Sequence, residues 1–177
     1  MAHTNFEKGY VQIYTGNGKG KTTAAIGLSV RAISRNMRVF FGQFMKNTYS
    51  AEQKIFADYP ENIVLKQFGT GQFVRGKPSE EDFMRAEAGW MTCKAAIESG
   101  EYDLVVMDEL NVVLSLGLLP IEDVLRTVNG KAPQLEIVIT GRNAPEALIE
   151  AAQLVTEMRE IKHYYKIGVP ARKGIEE

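Results

Sequence analysis

A chain of 177 residues, 45% of them hydrophobic, suffices for one compact domain with a substantial core and is short for two. Its net charge of −1 and pI near 6.2 lack the cationic excess that non-specific nucleic-acid binding requires, and no apolar run approaches the length that crosses a bilayer, so neither nucleic acid nor membrane is an expected partner. Residues 1–9 are polar and carry no signal-peptide stretch, one cysteine cannot close an internal disulfide, and two histidines with that cysteine do not make an ordinary zinc site; the expectation is a cytoplasmic protein whose metal is bound through oxygen.

In chain order, residues 1–9 read as a flexible leader to a single domain over 10–177. Residues 10–15 form a strand that runs into Gly16-Asn17-Gly18-Lys19-Gly20-Lys21, and residues 22–35 read as a helix. Strands follow over 38–44, after Asn36, and over 63–68, after the Tyr59-Pro60-Glu61-Asn62 turn. Ser79 with Asp82 three residues on, after Pro78, is a capping-box start, and Phe83, Ala86, Trp90, Cys93 and Ile97 recur at helical spacing up to Gly100, a stripe expected to face the core. Residues 104–107 are an apolar strand ending in Asp108-Glu109, and 135–140 another ending in Gly141-Arg142. Residues 120–128 and 145–155 read as helices with proline in the first turn, and 157–161 as a last strand. Strands alternating with helices predict an α/β fold, a mostly parallel sheet with helices on both faces, whose ligands gather at the carboxyl ends of the strands.

The chemistry concentrates at the first of those ends. A polyphosphate needs many donors at short range, and glycines at 16, 18 and 20 let backbone N–H groups turn inward to supply them. Lys21 adds a charge, and Thr22, opening the helix, is set to ligate a magnesium ion. The usual pattern has its first glycine five residues before Gly20, where this chain has Thr15, so Gly16 comes one residue late. A plain glycine turn is the bland alternative. Strand before, helix after and Gly-Lys-Thr-Thr between favour a P-loop, hence a single P-loop NTPase domain of the RecA-like kind, with ATP held on residues 16–23. Asp108 and Glu109 supply carboxylates where the Mg²⁺ shell of such a site needs them; an acid pair serving a helix dipole is the alternative, and the division between the two residues stays open. For Arg142, a phosphate contact and an ordinary exposed arginine stand level. Trp90 and Cys93 read as packing, and His163, with no metal-ligand partner at suitable spacing, as structural.

These residues resemble the P-loop corrinoid adenosyltransferases of bacterial cobalamin synthesis, which act on cob(I)alamin or its precursors. The likeness covers nearly the whole chain after residue 9. It runs through Tyr14-Thr15-Gly16-Asn17-Gly18-Lys19-Gly20-Lys21-Thr22-Thr23-Ala24-Ala25 with Arg31, Gln43-Phe44-Met45-Lys46, Asp108-Glu109-Leu110, Ile139-Thr140-Gly141-Arg142, Lys162-His163, and Gly168-Val169-Pro170-Ala171-Arg172-Lys173-Gly174-Ile175. The shortened glycine loop is itself distinctive of that family.

The resemblance implies a transfer in which reduced corrinoid cobalt attacks the 5′ carbon of ATP and triphosphate leaves, with ATP held in the reverse sense to most P-loop hydrolases. It implies ATP contacts at Gly16, Asn17, Gly18, Lys19, Gly20, Lys21, Thr22, Thr23, Arg31 and Arg142, magnesium on Thr22, Glu109 and Asp108, and Lys21, Thr22 and Glu109 as the catalytic set. Corrinoid is then the second substrate, a flavoprotein reductase a partner, and a homodimer the assembly. Where the family type has a phenylalanine and a tryptophan two residues apart after Thr-Gly, to displace the lower ligand of cobalt, this chain reads Thr70-Gly71-Gln72-Phe73-Val74, so the pair is broken; Phe68 and Phe73 are the corrinoid candidates, with a divergent member of different corrinoid preference or activity, and plain packing for Phe73, as the alternatives. A P-loop ATPase, a small-molecule kinase and a non-catalytic ATP or corrinoid sensor are the competing readings.

Overall fold

The runs at 39–44, apolar but for Gln43, and at 104–107 have no polar face, as strands buried on both sides require. The structure, a computed structural model, describes residues 7–48, 50–71 and 76–176. Among these, six strands, β1 (Val11–Thr15), β2 (Val39–Phe44), β3 (Ile63–Phe68), β4 (Leu104–Asp108), β5 (Glu136–Thr140) and β6 (Leu154–Glu157), make one sheet of order β3-β2-β4-β5-β1-β6. Every ladder is parallel. Parallel neighbours need crossovers, supplied by α1 (Lys21–Ile33), α2 (Ala51–Ala57), α3 (Glu80–Glu98), α4 (Leu110–Ser115), α5 (Ile121–Asn129) and α6 (Glu146–Ala151).

Side chains alternate across this sheet and so build two cores. Phe40, Phe44, Val105, Met107, Ile137 and Ile139 pack on the α3 to α6 side, with Trp90, Cys93, Leu110 and Val124. Val39, Phe41, Leu104, Val106 and Val138 face the other way, onto Ala25, Ala32 and Ile33 of α1 and Phe56 of α2. The sheet with helices on both faces is the one the sequence predicts. The capping box forms as read: Ser79 Oγ accepts from the Asp82 amide at 3.2 Å, while Asp82 Oδ2 accepts from the Ser79 amide at 2.9 Å. Ala86, Trp90, Cys93 and Ile97 are buried, whereas Phe83, at the margin of that stripe, is 44% exposed and lines a surface groove with Trp90 and Leu119.

Most element ends fall within two residues of the sequence reading, and two elements depart from it by more. The helix expected over 145–155 ends at Ala151, and the last strand is Leu154–Glu157 rather than 157–161. Leu154, Val155 and Thr156 take the free edge of β1, Val155 opposite Ile13, because ladder hydrogen bonds there outweigh a further helical turn. Residues α2 and α4 comprise were not read as helices at all; both are short, and the side chains of their N-caps, Ser50 and Glu109, make no capping hydrogen bond. At the amino end, Gly9 is buried and tied down, its N–H donating to Pro133 O at 2.8 Å and its carbonyl accepting from Lys131. No helix among the described residues is long and apolar enough to cross a membrane.

Candidate active site

β1 ends at Thr15, and the next five residues turn the chain into α1. Gly16 and Gly18 pack against the chain that follows β6: a β-carbon on either would stand 2.5 or 2.6 Å from Met158 O. The Gly18 N–H donates to that same oxygen at 2.6 Å. Gly20, the N-cap of α1, has φ 119°, a conformation other residues rarely adopt. Inside this loop lies the Lys21 side chain, 7% exposed, its Nζ donating to Gly16 O at 2.7 Å and Gly18 O at 2.8 Å. Burial lowers its pKa; Glu109 opposes the shift, Arg142 adds to it and Asp108 opposes it.

Across β5, which separates β1 from β4, stands Asp108, the last residue of β4 and fully buried. Its Oδ1 accepts from Thr22 Oγ1 at 2.9 Å and Thr140 Oγ1 at 2.6 Å, and its Oδ2 from Gln43 Nε2 at 3.4 Å. Burial raises its pKa, and these three donors with Lys46 oppose the rise. Because Thr22 gives its proton to Asp108, the lone pairs of its hydroxyl are left for a cation. Glu109, next in the chain, is in a left-handed conformation at φ 64°, held by its N–H donating to Thr140 Oγ1 at 3.0 Å. That turn brings its carboxylate to the cleft wall, where it makes no hydrogen bond among the described residues, and burial, then Asp108, raise its pKa. One hydroxyl and one open carboxylate, backed by a buried carboxylate, suit a hard cation that keeps several of its waters, as Mg²⁺ does. Among the described residues no cluster of His, Cys, Asp or Glu could hold a metal by itself.

The cleft so formed, about 520 Å³, is lined by Asn17 to Thr23, Glu109 and Arg142, with Lys46, Glu52, His163 and residues 174–176 completing the wall. The structure thus brings together most of the residues singled out in the sequence; Gly16 contributes its carbonyl to Lys21 from just outside. Arg31 it does not bring: this residue lies in the last turn of α1 and lines a separate cavity with Lys8, Arg35 and Glu136. The helix carries it ten residues from Lys21, about 15 Å along the axis. Phe68 is half-buried beside the cleft, its ring 5.6 Å from that of Phe44, in a small recess with Met45, Thr70 and Val113. Phe73, Gln72 and Val74 lie outside the described residues.

Four contributors carried no assigned role in the sequence reading. Thr140 links Asp108 to Glu109, Gln43 reaches Asp108 from β2, and Lys46 pairs with Glu52. A polar residue at the end of an apolar strand is the signal that marks Gln43 and Thr140, as it marks Asp108. The carboxyl-terminal segment also closes over the loop, Lys19 Nζ donating to Ile175 O at 3.0 Å and pairing with Glu176 at 3.7 Å. Glu176 in turn takes Arg172 and the hydroxyl of Tyr164.

Among solved structures, a KaiC-like protein of Pyrococcus horikoshii superposes with a TM-score of 0.60, covering 89% of this chain and 75% of its own at 13% identity, a likeness of fold. The sequence is similar to the corrinoid adenosyltransferase of Pseudomonas aeruginosa, 36% identical over 99% of this chain and 87% of that protein. It is 32% identical to that of Escherichia coli, over 99% of this chain and 89% of that protein. The sequence model of the family described as ATP:corrinoid adenosyltransferase BtuR/CobO/CobP matches residues 7–176, and the chain belongs to that family.

Proposed function

We propose that this protein transfers the 5′-deoxyadenosyl group of ATP to the reduced cobalt of a corrinoid, with formation of the cobalt–carbon bond, cleavage of the bond from the 5′ carbon to the phosphate oxygen, and release of triphosphate. The observation that carries the reading is a polyanion cradle, built from the shortened loop, Lys21 and Arg142, in a chain that matches the adenosyltransferase family over nearly its full length. Displacement at a saturated carbon by so strong a nucleophile calls for alignment and a stabilised anionic leaving group. The loop amides and Lys21 bind the triphosphate, and Arg142 faces it from the end of β5. Thr22 and Glu109, with Asp108 behind the threonine hydroxyl, would hold Mg²⁺, which neutralises charge on the leaving group.

The same reading makes cobalt(I) a requirement that a flavoprotein reductase meets, and places the protein in the cytoplasm, where its single buried cysteine stays a thiol. We extend it to a homodimer, supported by the free edge strand β6, whose four residues are exposed. Anaerobic incubation with MgATP and chemically reduced cobalamin tests the function by its products. Adenosylcobalamin with triphosphate supports it. ADP with phosphate, a phosphorylated substrate, or binding without turnover would each replace it, by an ATPase, a kinase or a sensor respectively.

A further inference from the structure

We propose that Lys46 is a second cation for the triphosphate of ATP, facing Lys21 across the cleft and positioned by Gln43 and Glu52; the inference rests on the adenosyl-transfer reading above. It begins with an anomaly in β2. Five of that strand's six residues, Val39 to Gly42 and Phe44, are apolar; the other, Gln43, is polar and completely buried. A buried amide is costly unless it is bonded, and this one is used from both ends. Its Nε2 donates to Glu52 Oε1 at 2.9 Å and more distantly to Asp108 Oδ2, while its Oε1 accepts from Gln67 Nε2 at 3.0 Å. Gln43 therefore fixes the Glu52 carboxylate at the cleft wall in register with Asp108, and so with Thr22.

Lys46 follows where the strand stops. Met45 turns left-handed at φ 60°, and the Lys46 carbonyl accepts from the Gly69 N–H at 2.8 Å, so the backbone is anchored while the side chain enters the cleft that Lys21, Thr22, Glu109 and Arg142 line. Its ammonium stands 3.5 Å from Glu52 Oε1. Committed charge-assisted bonds close to about 2.7–2.9 Å, and an ammonium has three protons to place. The pair that joins α3 to α5, Lys94 with Asp123, closes to 3.1 Å. Lys46 is thus restrained by a carboxylate without being consumed by it, and its remaining donors face a cleft built for phosphate oxygens. Its charge also acts on Asp108 and Glu109, favouring their ionised forms. The simpler alternative is an ion pair that merely fastens α2 to β2.

Calorimetric titration of the full chain with inorganic tripolyphosphate and with MgATP separates the two. Lys46→Met keeps the alkyl stem and removes the charge; it should weaken tripolyphosphate about 10- to 100-fold, the effect of losing one or two hydrogen bonds to a charged group. Lys46→Arg should restore most of the affinity. Glu52→Gln should cost less, and little more once Lys46 is already Met, because Glu52 acts through it. Lys46 is one-third exposed, so neither variant opens a core cavity, and circular dichroism checks the fold. Tripolyphosphate affinity within twofold of the parent for Lys46→Met, with Lys21→Ala strongly impaired, overturns the inference and leaves the phosphate cleft standing. Affinity unchanged by both substitutions overturns the cleft itself, and additive losses for Lys46→Met and Glu52→Gln overturn the positioning role of Glu52.

Discussion

Replacing Gly18 by alanine inserts one methyl group where there is no room. The backbone at Gly18 is not in the left-handed region, so alanine tolerates its conformation, and the cost comes from contact alone. The new carbon would lie 2.6 Å from Met158 O, 2.8 Å from Met158 C and 2.9 Å from Arg159 C, all main-chain atoms. Regaining ordinary contact requires the 158–159 chain to retreat by about 0.8 Å, and that retreat stretches the 2.6 Å bond from the Gly18 N–H to Met158 O. Overpacking of this kind costs about 1–3 kcal/mol, and the hydrogen bond about 1 kcal/mol; they share one displacement, so roughly 2–3 kcal/mol in all is expected. For a domain of this size that is a fall in Tm of about 5–10 °C. Thermal unfolding followed by circular dichroism, with and without MgATP, measures it, and ATP affinity should fall as well because the loop moves. Gly20→Ala is the control. Its nearest new neighbour is Met158 Sδ at 3.4 Å, so it pays only the backbone strain of φ 119°, about 1–2 kcal/mol. Gly18→Ala melting within 1 °C of the parent with unchanged MgATP affinity would refute the claim that packing on residues 158–159 holds the loop.

Lys21→Ala should lower MgATP affinity by at least about tenfold, since it removes the cradle's charge along with the two bonds that tie the loop at Gly16 O and Gly18 O, while the sheet stays folded; calorimetry showing equal affinity would defeat the cradle. Glu109→Gln should depress Mg²⁺-dependent turnover more than nucleotide binding in chelator, and equal effects in both conditions would remove Glu109 from the metal site. Burial alone would raise the Glu52 pKa, but its own backbone amide, Gln43 and Lys46 bring the net shift below the ordinary value. Its contribution to stability is therefore present above the unfolded pKa, near 4.3, and lost as pH falls through the folded one. Glu52→Gln should flatten the acid limb of unfolding midpoint against pH, and an unaltered limb would contradict that. Cys93 is fully buried and its thiol pKa is pushed far up, so thiol reagents should label it only as fast as the domain opens, more slowly with MgATP present. Rapid labelling in native buffer would contradict the packing of α3.

The strands were legible because burial on both faces leaves apolar runs with sharp ends, as at β4, read over 104–107 and formed over Leu104–Asp108 with every residue buried. The loop was legible for another reason: phosphate binding constrains residue type at fixed spacing. What escaped depends on contacts between segments far apart in sequence. The edge strand Leu154–Glu157 is defined by β1, some 140 residues earlier, and its exposed residues carry no alternation to betray it. Glu52 enters the site through Gln43 and Lys46, and Arg31 leaves it because α1 carries it about 15 Å along the helix axis from Lys21. Asp108 and Glu109 were seen as a pair, but their division of labour came from a dihedral angle: a left-handed turn at Glu109 puts one carboxylate behind the threonine hydroxyls and the other on the cleft wall.

Of the six strands of this sheet β1 is made first, yet its neighbours are the two made last, β5 and β6. The phosphate loop that follows it leans on Met158 and is covered by residues 174–176. Such distant pairing is the slow part of folding, and synthesis at several residues per second delays it further. During translation the loop is therefore a glycine-rich segment without its scaffold, and β1 is a strand exposed on both edges. ATP meets its whole site only once residues 174–176 have been made, and a stop at any position from 158 to 176 removes part of the nucleotide site while leaving every strand of the sheet encoded.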